Sequence, residues 1–244
     1  MKAMILAAGF GTRLRPLTDG RPKALVTVAG KTLLEITIER LRSFGVSEII
    51  VNAHHFAEQI EEFLRAHANF GLQIEISRED ELLDTGGGLK KAAWFFRDDD
   101  APFLLHNVDV LSTIDLAAML KAHRDRHALA TLAVMQRKTS RYLLFDEAGL
   151  LCGRRAGVDG EPEMARPAET TQALAFCGIH MIEPRLLSML TEQGAFSIIP
   201  AYLRLAAAGE RIAAFHADAY SWRDVGKLED LAEAEKELLR SGAK

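Results

Sequence analysis

Short apolar runs alternate with segments of helical period along roughly the first 135 residues, and this alternation limits the possible folds more than any other feature. Residues 4–7, 48–52, 72–77, 103–107 and 130–135 have strand length and are mainly apolar or alternating. Between them, residues 32–44, 57–68, 89–96 and 115–126 place apolar side chains at helical spacing, as in Leu34, Ile38 and Leu41, with Gly45 as a stop. Strands joined through helices run parallel. The pattern therefore predicts a three-layer, Rossmann-like α/β fold: a mostly parallel sheet with helices on both faces.

The rhythm changes after residue 135. Residues 142–146 and 150–154 flank Glu147-Ala148-Gly149 and predict a hairpin. Residues 156–171 are rich in Gly, Pro and Glu without a period and read as a loop. Strands are expected at 176–181 and 212–216, and helices at about 184–192, 199–208 and 228–240. No repeat or linker interrupts the chain. One domain over residues 1–244 is expected, with a regular half to about residue 135 and an irregular half from about 136.

Composition excludes several classes. With 244 residues, 48% of them hydrophobic, the chain can bury a sizeable core without staples. A net charge of -4 gives no sign of the clustered basic surface of a nucleic-acid binder. Cys152 and Cys177 form no CxxC pair and read as reduced thiols. The apolar run before Gly9 is too short for a signal peptide and is soon followed by Arg13 and Arg15. No stretch approaches the ~20 apolar residues of a membrane span. A cytoplasmic protein without a membrane partner is expected, as a monomer or small homo-oligomer.

The strongest chemical signal lies directly after the first strand: Ala7-Ala8-Gly9-Phe10-Gly11-Thr12-Arg13-Leu14-Arg15-Pro16-Leu17-Thr18. Glycines let backbone N–H groups approach a ligand, and successive N–H groups form an anion-binding concavity. Arg13 adds a planar cation able to grip phosphate in two places. The third Gly of a dinucleotide fingerprint is missing, as is the GxxxxGK[ST] of a P-loop. Gly9 and Gly11 alone suit a plain tight turn equally well. Arg21-Pro22-Lys23 follows, and there Lys23 is either a phosphate-neutralising cation or a solvated surface residue. Asp109, just past the strand FLLHN, falls on the strand-end rim where open sheets bind ligands. Asp224, in Trp222-Arg223-Asp224-Val225-Gly226, could share one Mg²⁺ with it. A turn Asp and a helix-start Asp are the plain alternatives. Leu83-Asp84-Thr85-Gly86-Gly87-Gly88-Leu89 reads as a loop before a helix, where bare backbone could meet a nucleobase. Asn52 and His54 read as solvated rim residues.

The run AAGFGTRLRPLTDGRPKALVTVAGKTLLE resembles the N-terminal signature of the sugar-nucleotide pyrophosphorylases, the sugar-1-phosphate nucleotidylyltransferases. The form DTGGG is especially similar to that of the N-acetylmuramate 1-phosphate uridylyltransferases, and mannose-1-phosphate guanylyltransferases have a related loop. The resemblance implies the nucleotide-diphospho-sugar transferase type of α/β fold. It also implies transfer of a nucleotidyl group from an NTP, UTP by preference, to a sugar 1-phosphate, with Mg²⁺ as cofactor. By resemblance, Arg13 and Lys23 are catalytic, with Arg13 on the β- and γ-phosphates and Lys23 on the α-phosphate or the sugar phosphate. Ala7, Ala8, Gly9, Gly11, Thr12, Arg13, Thr85, Gly86, Gly87 and Asn107 would bind the nucleotide. Gly178, in Phe176-Cys177-Gly178-Ile179-His180, and Asp109 would face the sugar, and Asp109 and Asp224 would bind the metal. Two departures stand out. Val108 replaces a usual Gly, and Pro162-Glu163-Met164 lacks the Lys of a Glu-Lys-Pro element near the sugar. The chain stops after its last helix, so no C-terminal β-helix domain is expected. A guanylyltransferase acting on a mannose or heptose phosphate is the nearest alternative. A non-catalytic nucleotide-binding regulator on the same fold is a second, and an NAD-dependent oxidoreductase is disfavoured by the missing Gly.

Overall fold

The computed structural model describes residues 1–97 and 100–242, so the last two residues of the expected 1–244 domain lie outside the described residues. The first apolar run forms β1 (Lys2–Leu6), whose Ala3, Met4 and Ile5 are fully buried. A short ribbon of β2 (Thr27–Val28) and β3 (Lys31–Thr32) follows the Gly-rich segment. Helix α1 (Leu33–Ser43) begins where the Thr32 hydroxyl accepts the Glu35 N–H at 3.0 Å, an N-cap, and it buries Leu34, Ile38 and Leu41. Then come β4 (Glu48–Ala53), α2 (Ala57–Ala66), β5 (Gln73–Arg78), α3 (Asp84–Lys91), β6 (Phe103–Asn107), β7 (Val110–Ser112), α4 (Leu116–Asp125) and β8 (Ala130–Met135). The second half adds β9 (Arg141–Phe145), β10 (Leu151–Ala156), β11 (Pro162–Met164), β12 (Gln172–Ile182), α5 (Ile198–Ala207), β13 (Ile212–His216), β14 (Trp222–Asp224) and α6 (Leu228–Gly242).

Parallel pairing joins β5 to β4, β4 to β1, β1 to β6 and β8 to β13. Strand β12 lies antiparallel between β6 and β8, and its first residues, Gln172–Leu174, also pair with β9. Side chains of a strand alternate between faces, and each central strand feeds two cores. On one face Ala3, Ile5, Ile49 and Val51 pack with Leu34 and Ile38 of α1, Ile60 of α2, Met119 of α4 and Ala234 of α6. On the other, Met4, Ile50 and Leu105 pack with Leu89 of α3 and with Ala201 and Tyr202 of α5. This is the expected mostly parallel sheet between two helical layers.

Three expectations need correction. The segment Leu83–Leu89 is not a loop before a helix: α3 starts at Asp84, so all three glycines are helical. Their lack of side chains is a packing requirement. A Cβ on Gly86 would lie 2.3 Å from the Phe196 ring, and one on Gly87 would lie 2.5 Å from the Gly194 carbonyl oxygen. Residues 156–171 are not structureless, because β11 pairs with β10 through Gly153↔Met164 and its neighbours. The helix expected at 184–192 is a 3-10 segment, Pro184–Met189. The sequence reading also overlooked the antiparallel ribbon of β7 and β14, which pairs Val110 with Asp224.

Candidate active site

Strands β1, β4 and β6 end side by side, with Leu6 level with Asn52 on one side and Asn107 on the other. The Gly-rich segment leaves this rim. Its first residue is tied down, since the Ala7 N–H donates to Asn52 Oδ1 at 2.7 Å. The N–H groups of Gly9, Phe10 and Gly11 have no partner among the described residues. Gly11 is left-handed, with φ at 63°, and the Thr18 hydroxyl donates to its carbonyl at 2.9 Å. A Cβ on Gly11 would lie 3.0 Å from Cβ of Lys23 and from Cγ2 of Thr18, so the loop and Lys23 are packed together.

Ala7, Ala8, Gly9, Gly11, Thr12 and Arg13 line a cavity of about 480 Å³ together with Lys23, Asn52, Thr85, Asn107 and Asp109. A second cavity of about 1190 Å³ adjoins it and shares Arg13, Asp84, Thr85 and Asn107. Gly178 and Asp224 line this second space.

Lys23 is buried, unlike the usual lysine, and its ammonium group contacts Asp109 Oδ2 directly. Asp224 reaches the same place through the β7–β14 ribbon: the Val225 N–H donates to the Asp109 carbonyl at 2.8 Å. Burial raises the Asp224 carboxyl above the usual range, the Asp109 charge raises it further, and Lys23 and Arg13 pull it back. Its Oδ1 is buried without a hydrogen-bond partner. Two adjacent carboxylates, one holding a partnerless buried oxygen, fit a hard divalent cation that takes its remaining ligands from phosphate and water. Among the described residues no group of three or more His, Cys, Asp or Glu could hold a metal.

Gly226 brings Arg13 to this centre. A Cβ there would lie 2.8 Å from Arg13 Nη2 and 3.0 Å from Asp224 Oδ1. Val108 is 3% exposed in the core beneath the rim, its N–H donates to the Leu6 carbonyl at 3.1 Å, and it is not among the positive-φ residues. A valine is therefore accommodated without left-handed backbone. Gly178 has φ at 72°, and a Cβ there would lie 2.8 Å from Asn107 Nδ2, so its absence lets Asn107 into the rim.

Gly86 and Gly87 are not brought to either cavity. Both are buried, and their N–H groups donate to the Phe196 carbonyl at 2.9 and 3.2 Å, so neither N–H is free for a base edge. Thr85 does line the cavity, but its hydroxyl accepts the Ile198 N–H at 3.0 Å. Asn52 is 2% exposed rather than solvated. Its Nδ2 donates to Glu79 Oε1 at 2.6 Å, and Glu79 Oε2 accepts the Leu83 N–H at 2.9 Å. This buried Asn52–Glu79 brace joins the Gly-rich segment to the start of α3, and the sequence reading did not find it. Its one available sign was a polar Asn directly after the apolar run Ile49–Val51 of β4.

A profile of nucleotidyl transferases matches residues 2–241. The chain belongs to the nucleotidyl transferase family. Among its members, the N-acetylmuramate alpha-1-phosphate uridylyltransferase of Caulobacter vibrioides is 35% identical over 216 residues, covering 85% of each chain. The UTP–glucose-1-phosphate uridylyltransferase of Synechocystis sp. is 32% identical over 98% of this chain and 63% of its own length. A mannose-1-phosphate guanylyltransferase of Mycobacterium tuberculosis is 30% identical over 98% of this chain and 64% of its own length. The chain thus spans less than two thirds of these two nucleotidyl transferases. The fold also matches the solved structure of HddC from Yersinia pseudotuberculosis, complexed with GMP-PN. The TM-score is 0.78 over 97% of this chain and 99% of that one, at 21% identity. No helix among the described residues is long and apolar enough to cross a membrane.

Proposed function

We propose that the chain transfers a nucleotidyl group from an NTP to a sugar 1-phosphate, giving an NDP-sugar and pyrophosphate, and that UTP is the donor. The observation that carries this reading is the meeting of Arg13, Lys23, Asp109 and Asp224 at one strand-end rim beneath the open amides of the Gly-rich loop. The regular half of the chain, to about residue 135, holds the nucleotide in the smaller cavity. The half from about residue 136 contributes most of the larger one, for the sugar.

In this reading Gly9, Phe10 and Gly11 offer their N–H groups to the triphosphate, and Arg13 grips the departing β- and γ-phosphates. Lys23 faces the α-phosphate. An oxygen of the sugar phosphate attacks the α-phosphorus, the new P–O bond forms, and the bond to the bridging oxygen breaks with its electron pair leaving on pyrophosphate. The attacking oxygen is already anionic at neutral pH, because a phosphate monoester has a second pKa near ~6. No general base is required, and the chain's contribution is alignment and fixed positive charge. Asp109 and Asp224 would hold Mg²⁺, which when bound neutralises charge on the phosphate oxygens.

The UTP assignment draws on the two uridylyltransferase relatives. A guanylyltransferase is the second reading, drawn from the mannose-1-phosphate relative. Four NTPs tested against a panel of sugar 1-phosphates for pyrophosphate release decide between them. UTP should give the highest kcat/KM. GTP as the better donor selects the second reading, and release from no pairing rejects both.

A further inference from the structure

The larger cavity carries a cation that the steps above do not use. Arg137 follows β8 and lines that cavity. Its Nη2 donates to the Phe176 carbonyl at 2.8 Å, and its guanidinium lies 4.0 Å from the centroid of the Trp222 ring. The ring is itself anchored, since Trp222 Nε1 donates to the Cys177 carbonyl at 2.7 Å. The guanidinium is thus held on two sides, while its Nε is buried without a partner.

No ion pair among the described residues involves Arg137, whereas two other arginines of the cavity, Arg154 and Arg223, each have one. Arg154 pairs with Glu163 at 2.6 Å, and Arg223 pairs with Glu237. Asp218 takes the Gln136 N–H at 2.6 Å instead. The Cys177 thiol beside Arg137 supplies no counter-charge, because burial pushes it up to about 12. A fixed guanidinium without an acid is a site for an oxyanion.

Its position says which one. Trp222 and Asp224 are two residues apart in β14 and share a face, so Arg137 sits on the Asp224 side of the sugar space. Strand β11, on the same cavity, reads Pro162-Glu163-Met164 and offers no cation, and its Glu163 is occupied by Arg154. We propose that Arg137 holds the phosphate of the incoming sugar 1-phosphate. The assignment rests on the transferase reading.

Calorimetric titration of the full chain in Mg²⁺ buffer, with glucose 1-phosphate and separately with UTP, tests it. Glucose 1-phosphate carries no other oxyanion. In Arg137→Met its Kd should rise about tenfold or more, as expected for a lost charge-assisted contact, while the UTP Kd stays within about twofold. Arg137→Lys keeps the charge without the fork and should fall between the two; it also serves should Arg137→Met not fold. An unchanged glucose 1-phosphate Kd in both variants overturns the assignment, as does an equal loss for UTP. A loss seen only with N-acetylmuramate 1-phosphate also overturns it, in favour of a carboxylate partner. Wild-type protein that binds glucose 1-phosphate yet releases no pyrophosphate contradicts the transferase reading alone, and the Kd comparison still decides the role of Arg137.

Discussion

Lys23 and Gly226 show how single positions set the chemistry of the rim. Lys23 is buried against Asp109, so its charge is fixed where the phosphates would arrive rather than swinging in solvent. Lys23→Met should lower kcat/KM for nucleotidyl transfer by roughly 10²–10³-fold, the usual scale for losing one preorganised charge partner. Steady-state kinetics checks this, and a change under threefold contradicts it. Gly226 acts through space alone. A methyl group there meets Arg13 Nη2 at 2.8 Å and Asp224 Oδ1 at 3.0 Å, so the guanidinium must move. Gly226→Ala should therefore raise the KM for UTP several-fold, with the melting temperature nearly unchanged. Unaltered kinetics would show that the site does not depend on where Arg13 lies. The rim positions of Arg13 and Asp109 were legible from a turn glycine and a strand end beside them, whereas Lys23, which alone reads as a surface lysine, stood out only through the family resemblance. The role of Gly226 was not legible, because it depends on a side chain 213 positions earlier in the chain.

Elements carry two further dependencies. The Asn52–Glu79 brace links the end of β4 to the start of α3 and holds Ala7 on the way. Glu79→Ala leaves the Asn52 amide and the Leu83 N–H without their shared partner, at a cost of about 1–3 kcal/mol for buried groups. It should raise the KM for UTP, while Glu79→Gln should recover much of the loss. Equal KM values for Glu79→Ala and wild type would assign the brace no part in binding. Gly86 is the tightest contact of α3, and Gly86→Ala should destabilise the fold by about 1–3 kcal/mol through overpacking. Thermal melts should show a lower Tm, and an unchanged Tm would contradict the packing account. Strands with a strong apolar pattern, such as β6 and β8, were legible to the residue. The ribbon of β7 and β14 was not, since three-residue strands have no period and their pairing joins residues more than a hundred positions apart. The start of α3 was misplaced because three successive glycines read locally as a loop, whereas packing on Phe196 keeps them helical.

At the scale of the whole molecule, two buried histidines, His106 of β6 and His180 of β12, couple stability to pH. Burial pushes His106 down to about 4 and His180 down to about 3, against 6.5 unperturbed. Both are therefore neutral in the folded protein at pH 7, and the His180 ring nitrogen bonds the Tyr202 hydroxyl at 2.9 Å. Below pH 6.5 the unfolded chain takes up protons that the folded one does not. Stability is fully present above that pH and falls until the folded values are passed. Between pH 7 and 5 the two histidines together should remove on the order of 2–4 kcal/mol. Urea unfolding at the two pH values measures this, and equal free energies would contradict it. The overall layers followed from the alternation of the first half, while the convergence of distant residues required the fold. Pyrophosphate release from UTP and the preferred sugar 1-phosphate, followed with and without Mg²⁺ in wild type and Asp109→Asn, bears most directly on that convergence. Wild-type release should require the metal, and the variant should lose at least about 10²-fold while melting like wild type. Full activity in Asp109→Asn, or release that ignores Mg²⁺, would contradict the account.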